Sequence, residues 1–228
     1  MEITAITLQT SLLKDLANFY RDVLELPTEI NGHGKITIRI GWTALVFEQV
    51  KNADPFYHFA INIPSNKIDE AKTWLSPRAG LIWMDDYKSE IADFRNWNAK
   101  SVYFYDPAGN VLELIARFDL DNKMYEPFSS AQFLCVSEMG IVSKLGDLDN
   151  AADRLLNDYD LNYFTRQPPL PQFRAIGDNN GLFILVPEKR NWYPTAKASG
   201  VFPMKVQFIN AGKKYELTDE WLANKPAN

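Results

Sequence analysis

The sequence predicts an α+β protein of three consecutive βαβββ modules, with paired modules curling their sheets around a concave groove. Three observations lead there. A strand–helix–strand order recurs three times along the chain. The strands alternate apolar and polar residues, whereas the helices repeat apolar residues at helical spacing, so each strand and each helix must bury one face. The strand face turned away from the helices is unusually polar: Thr7, Gln9, Glu48, His58, Asn62, Tyr103, Tyr105 and Glu113 fall on it.

In the first unit, residues 3–9 alternate as a strand, with Ile6 and Leu8 opposite Ala5, Thr7 and Gln9. Thr10 or Ser11 can cap the helix that follows, because a hydroxyl there accepts from a free backbone N–H of the first turn. Leu12, Leu13, Leu16, Phe19, Tyr20, Val23 and Leu24 share one face of that helix, and Pro27 ends it. Residues 31–34 read as a loop, and strands over 35–40 and 42–50 meet at Gly41.

The second unit opens with an alternating strand over 56–63, in which Phe59, Ile61 and Ile63 oppose His58, Ala60 and Asn62. A helix runs from Pro64-Ser65 to about residue 75 with Ile68, Ala71 and Leu75 inward. An irregular insertion carrying Trp83 and Trp97 leads to a β-hairpin over 101–117. Its turn is Asp106-Pro107-Ala108-Gly109-Asn110, where Pro107 presets φ and Gly109 supplies positive φ. Glu113 is a lone carboxylate in the apolar second strand of that hairpin.

The third unit has a strand over 132–142, a helix over 149–159, and strands over 173–177 and 182–187. The tail adds a strand at 204–209 and a short helix near 218–222, capped by Thr218. The charged stretch 119–131, which holds Pro127, reads as a linker. The expected organisation is therefore a paired-module region 1–118 (modules 1–50 and 56–118) forming the main groove, the linker 119–131, and a third module with C-terminal extension over 132–228.

A net charge of −5 without any basic run gives no surface for nucleic acid or anionic lipid. No apolar run is long enough to span a bilayer, so neither nucleic acid nor membrane is an expected partner. The first residues lack the basic start and apolar core of a signal peptide. The one cysteine, Cys135, sits in an apolar run and fits a buried core position in a reducing compartment, which makes the cytoplasm the expected location. Phosphate-binding Gly-rich loops, a Gly-x-Ser-x-Gly elbow and a CxxC metal motif are all missing.

The segments FYRDVLEL at 19–26, YHFAINI at 57–63 and above all YDPAGNVLEL at 105–114 resemble the vicinal oxygen chelate superfamily, which includes glyoxalase I, extradiol ring-cleaving dioxygenases, and fosfomycin and bleomycin resistance proteins. The resemblance is good over 1–118 and weaker over 132–187. It implies a divalent metal in the groove of paired modules, held by residues of the first and last strand of each. Those positions are Ala5 and Glu48 in unit one, His58 and Glu113 in unit two, and Glu138 and Ile184 in unit three.

Alanine cannot coordinate, so pairing units one and two leaves His58, Glu113 and Glu48 as the implied ligands for Zn, Mn, Ni or Fe. Glu48 is alternatively a catalytic base beside the metal. No pair of units supplies the two-histidine, one-carboxylate set of non-haem iron oxygenases, which argues against ring cleavage. The implied function is a glyoxalase-like enzyme in which a divalent metal acts as Lewis acid on a small oxygenated substrate. The alternative is a metal-free small-molecule binding protein of the bleomycin-resistance type, without cofactor, suggested by Ala5 and Ile184.

Thr7, Gln9, Asn62, Trp97, Tyr103 and Tyr105 are the expected ligand contacts, and Arg95 is a candidate for meeting an anionic substrate. Glu138 is assigned to a separate groove or a subunit interface. An odd number of units leaves the third in need of a neighbour, either the C-terminal segment or a second chain, and a homodimer through it is expected.

Overall fold

The computed structural model describes residues 1–218 and Glu220. Among the described residues, thirteen strands form two mixed sheets. The first module contributes β1 (Glu2–Thr10), α1 (Leu13–Asn18), β2 (Thr28–Asn31), β3 (Lys35–Ile40) and β4 (Thr43–Gln49). The second contributes β5 (His58–Ile63), α2 (Ile68–Leu75), β6 (Ala92–Phe94), β7 (Ala99–Tyr105) and β8 (Val111–Arg117). The third contributes β9 (Cys135–Ser143), α3 (Leu148–Asp158), β10 (Arg174–Asp178) and β11 (Gly181–Pro187), and a C-terminal hairpin follows as β12 (Met204–Asn210) and β13 (Lys213–Thr218).

Each module is built alike. Its first and last strands lie parallel and adjacent, β1 beside β4, β5 beside β8 and β9 beside β11, with the helix as the crossover. Alternation decides which face is covered. Phe59, Ile61, Leu112, Leu114, Val102 and Phe104 are fully buried on the helix side, where α2 packs on β7 and β8. Likewise α1 packs on β3 and β4, and α3 on β10 and β11.

The pairing of modules differs from the expected one. β5 joins β9 antiparallel, so the second and third modules share one seven-stranded sheet ordered β10-β11-β9-β5-β8-β7-β6. The first module pairs instead with the C-terminal hairpin, through β1 and β12, in a six-stranded sheet ordered β13-β12-β1-β4-β3-β2. Residues 1–50 and 56–118 therefore share no sheet, and the third module finds its neighbour in β5 of the same chain. The reason is edge chemistry: β5 and β1 each have a free backbone edge after pairing within their module, and β9 and β12 satisfy those edges.

The two sheets are joined by one continuous hydrophobic core on their helix sides. Phe183 of β11 meets Phe208 of β12 edge-on, with ring centroids 5.1 Å apart. Tyr20 packs on Phe47, and its buried hydroxyl donates to Asp106 Oδ2 at 3.0 Å, tying the first helix to the hairpin turn of the second module. In that turn Asp106 Oδ1 accepts from the backbone N–H of Ala108 and of Asn110, both at 3.0 Å, and Gly109 adopts φ +74°. Burial pushes the Asp106 carboxyl up to about 6.

Smaller differences have local causes. The first helix is short, because residues 19–23 widen into a π-helical turn, and Leu12 is exposed rather than inward. Thr10 Oγ1 accepts from the Leu12 N–H at 3.0 Å, while Ser11 donates to Asp54 instead. Asn31 ends a short strand, β2, where a loop was expected from residue 31. The 119–131 stretch is strapped along α2, with Phe128 buried and its N–H donating to Glu70. Thr218 closes β13; the rest of the short helix expected at 218–222 lies, apart from Glu220, outside the described residues. Among the described residues no helix is long and apolar enough to cross a membrane.

Candidate metal centre

The face of the seven-stranded sheet opposite its helices carries the polar cluster. On β5, His58, Ala60 and Asn62 point to this face by alternation. Ala60 is flanked on one side by Glu113 of β8 and on the other by Glu138 of β9. A methyl group between two glutamates leaves the space above it open, so both carboxyls lean in over Ala60 toward the His58 ring. One ligating atom from each of His58, Glu113 and Glu138 lies within 4.8 Å of the other two.

All three side chains are buried. His58 Nδ1 lies 3.0 Å from the Val111 carbonyl, which can only accept, so Nδ1 carries the proton and Nε2 presents a lone pair to the cluster. Nε2 is 3.9 Å from Glu113 Oε2. Burial lowers the His58 pKa to about 4, and the nearby charge of Arg190 pushes the same way. Burial first, and the Glu138 charge second, raise Glu113 to about 8. Burial also raises Glu138, against the pull of Arg117. At neutral pH the imidazole is uncharged and Glu113 holds a proton, so the cluster carries less negative charge than its composition suggests.

Two positions beyond Glu113 on the same face of β8 stands Arg117, fully buried. Its guanidinium donates to Glu138 Oε1 and, through Nε, to Asn62 Oδ1 at 3.2 Å. Asn62 is held in turn by donating to the Asn179 carbonyl at 2.9 Å. The guanidinium carbon lies over the Trp97 and Phe164 rings, 5.7 and 5.9 Å from their centroids.

The cluster floors a cavity of about 250 Å³. Its walls are aromatic: Tyr103 from β7, Phe94 and Trp97 from the insertion, Phe173 ahead of β10, and Trp192 and Tyr193 from the segment after β11. Trp192 is tilted over His58 with centroids 5.0 Å apart, and Gly140 of β9 makes room for it. A Cβ at Gly140 would stand 2.6 Å from the Trp192 ring. Ile184 of β11 lines the cavity at the fourth equivalent strand position and offers no donor. The donor set is thus one imidazole nitrogen and two carboxyl groups, a hard and borderline set that suits Zn, Mn, Ni or ferrous iron. The residues present fit a divalent cation: the histidine tautomer is the ligating one, and a cation between the two buried carboxyls would relieve the desolvation that raises the pKa of each.

The site residues expected from sequence separate into two groups. His58, Glu113, Trp97 and Tyr103 line the cavity together. Glu48 does not join them: it lies on β4 of the other sheet and takes Lys35 Nζ at 2.5 Å, because its module pairs with the C-terminal hairpin. It is replaced in the cluster by Glu138, which was expected in a separate groove or at a subunit interface. Thr7 and Gln9 lie on β1 of that same other sheet, half-buried and away from the cavity. Asn62 lies behind the cavity as the Arg117 partner, Tyr105 is 40% exposed at the end of its strand, and the exposed Arg95 pairs with Asp93 at 3.6 Å. Cys135 is buried, and burial pushes its thiol up to about 12.

Phe173, Arg190, Trp192 and Tyr193 escaped the sequence reading. The Arg190-x-Trp192-Tyr193 group in the tail was the available signal.

No family profile matches the chain, and no curated protein matches it by sequence. Solved structures do. A protein assigned as a dioxygenase from Bacillus subtilis superposes with a TM-score of 0.57 at 14% identity, over 96% of this chain and 84% of that one. Glyoxalase I from Zea mays gives a TM-score of 0.53 at 13% identity, over 97% and 93% of the two chains. A single-residue variant of that enzyme gives 0.55 at 14% identity, with the same coverage. The chain therefore shares the fold of glyoxalase I and of that dioxygenase-assigned protein.

Proposed function

We propose that the chain is a divalent-metal-dependent enzyme of glyoxalase-like type, acting on a small oxygenated substrate in the cavity between its second and third modules. One observation carries the reading: the free Nε2 of His58 and the carboxyls of Glu113 and Glu138 converge on one point at the cavity floor. When bound there, a divalent ion supplies Lewis-acid polarisation of substrate oxygens. Three protein donors leave room for a substrate with two adjacent oxygens.

The protein's own residues do the rest. Val111 fixes the His58 tautomer through its carbonyl. Arg117 holds one oxygen of Glu138 and so fixes that carboxyl at the cluster. The aromatic walls exclude water and orient a flat substrate body. The test is metal content together with thermal shift on titration of Mn²⁺ and Zn²⁺. A stoichiometric ion, lost on His58→Ala, supports the reading; absence of both an ion and a shift sinks it.

A second reading is favoured by the Arg117–Glu138 ion pair and by Ile184 at the fourth strand position. There the guanidinium already supplies the cluster's positive charge, and the cavity is a metal-free small-molecule binding site. Ligand stabilisation that survives chelators would select this reading.

A further inference from the structure

The segment after β11 folds back as a small hairpin over the cavity, with Trp192 N–H donating to the Lys197 carbonyl at 2.9 Å and Ser199 N–H to the Arg190 carbonyl at 2.8 Å. Lys197 pins it to the second module by donating to the Gly109 carbonyl at 2.6 Å while lying 3.8 Å over the Phe56 ring. The hairpin therefore presents Arg190, Trp192 and Tyr193 to the cavity from a braced backbone.

Arg190 differs from the other arginine at the site. Arg117 has a carboxylate; Arg190 forms no ion pair among the described residues. Its guanidinium lies 5.3 Å from the Phe173 ring and, among the described residues, donates only to the Asn191 carbonyl, at 3.3 Å. Asp85 and Asp86 line an outer cleft on its far side, but Asp85 takes Lys88 and neither pairs with Arg190. Burial without a compensating anion lowers the Arg190 pKa. In the same cavity wall, the Tyr193 hydroxyl is buried without a hydrogen-bond partner among the described residues. Burial raises that phenol to about 12, so it stays a donor at neutral pH. A guanidinium without an anion and a hydroxyl without an acceptor, set among aromatic rings, are a built receptor lacking its guest.

We propose that Arg190 and Tyr193 form a carboxylate-recognition subsite, and that the cavity takes small monocarboxylic acids with a flat, apolar body. The carboxylate lies against the hairpin, the body stacks between Trp192 and Phe173, and the remaining oxygens face the His58–Glu113–Glu138 cluster. The inference rests on the cavity being the substrate site, but not on the cluster holding a metal.

The experiment titrates benzoate and its neutral isostere benzamide into the chelator-treated full chain by calorimetry, with Trp97 and Trp192 fluorescence as a second readout. Benzoate should bind at least about tenfold more tightly than benzamide, as expected for one charge-assisted pair. Arg190→Gln should erase that preference, Arg190→Lys should keep part of it, and Tyr193→Phe should weaken benzoate by a few-fold. Equal binding of the two probes by the wild-type chain, absence of benzoate binding at millimolar concentration, or a preference that survives Arg190→Gln overturns the proposal. The wild-type comparison decides even if a variant fails to fold. Mn²⁺ titration of the same preparations separates the two readings: benzoate bound without any metal response removes the metal reading alone, and the reverse result removes the carboxylate subsite alone.

Discussion

Arg117 and Glu138, from adjoining modules, form a fully buried ion pair across β5, with the Asn62 side chain as a third member. The pair bridges the second and third modules at the point where the cluster is assembled. Removing one partner leaves the other charge desolvated and alone. Arg117→Met should therefore destabilise the chain by about 3–5 kcal/mol, while the double replacement Arg117→Met with Glu138→Leu should recover most of that loss. Urea melts of the two variants check it; equal stability of the single and double variants would refute the buried-pair account.

The cluster and the expected Glu48 site predict opposite outcomes for two simple variants. His58→Ala should lower Mn²⁺ or Zn²⁺ affinity by about 100-fold or more, since even the loss of a residue supporting a ligand costs about 10–100-fold. Glu48→Gln should leave affinity unchanged, because its carboxylate is tied to Lys35 on the other sheet. Calorimetric titration of both variants decides.

The raised carboxyl of Glu113 makes the metal-free chain sensitive to pH. Its folded pKa of about 8 lies above the unfolded value, so its contribution is present at low pH and is lost as pH rises to about 8. His58, lowered to about 4, acts in the opposite sense, but only between about 4 and its ordinary value of 6.5. Between about pH 6.5 and 8 the Glu113 effect therefore stands alone of these two, and the melting temperature of chelated protein should fall over that window. Glu113→Gln should flatten the fall and melt above the wild type at pH 8.

Metal binding at the same site must displace the Glu113 proton. Affinity for Mn²⁺ should then rise with pH by about tenfold per unit below about pH 8 and level off above it. Proton release measured by calorimetry in buffers of different ionisation enthalpy tests this, and a pH-independent affinity would exclude Glu113 as a ligand.

Gly140 lies under the Trp192 indole, with no room for a methyl group. Gly140→Ala should displace Trp192, cost about 1–3 kcal/mol from overpacking, and shift the tryptophan emission to longer wavelength as the ring gains water. An unchanged emission spectrum would show that the hairpin yields elsewhere.

Much of this protein is written locally. The alternation of residues 58–63 and 101–117, the Asp106–Asn110 turn and the placement of His58 and Glu113 on one polar face follow from period and turn chemistry, which depend only on neighbours in the chain. The recurring unit was legible for the same reason, as was the burial of Cys135. Which module pairs with which was not. β5 could meet β1 or β9 through the same exposed edge, and the decision lies in packing between residues far apart in sequence, as where Phe183 meets Phe208. That decision moved Glu48 away from the cluster and Glu138 into it, and it brought Trp192 and Arg190 to a site that the local pattern could not connect to them. The sequence by itself determined most strands, their faces and two members of the site, but not the short strands β2 and β6 or the closing strand β13. Only the tertiary structure decided the third site member, because a strand edge carries backbone hydrogen bonds but no address.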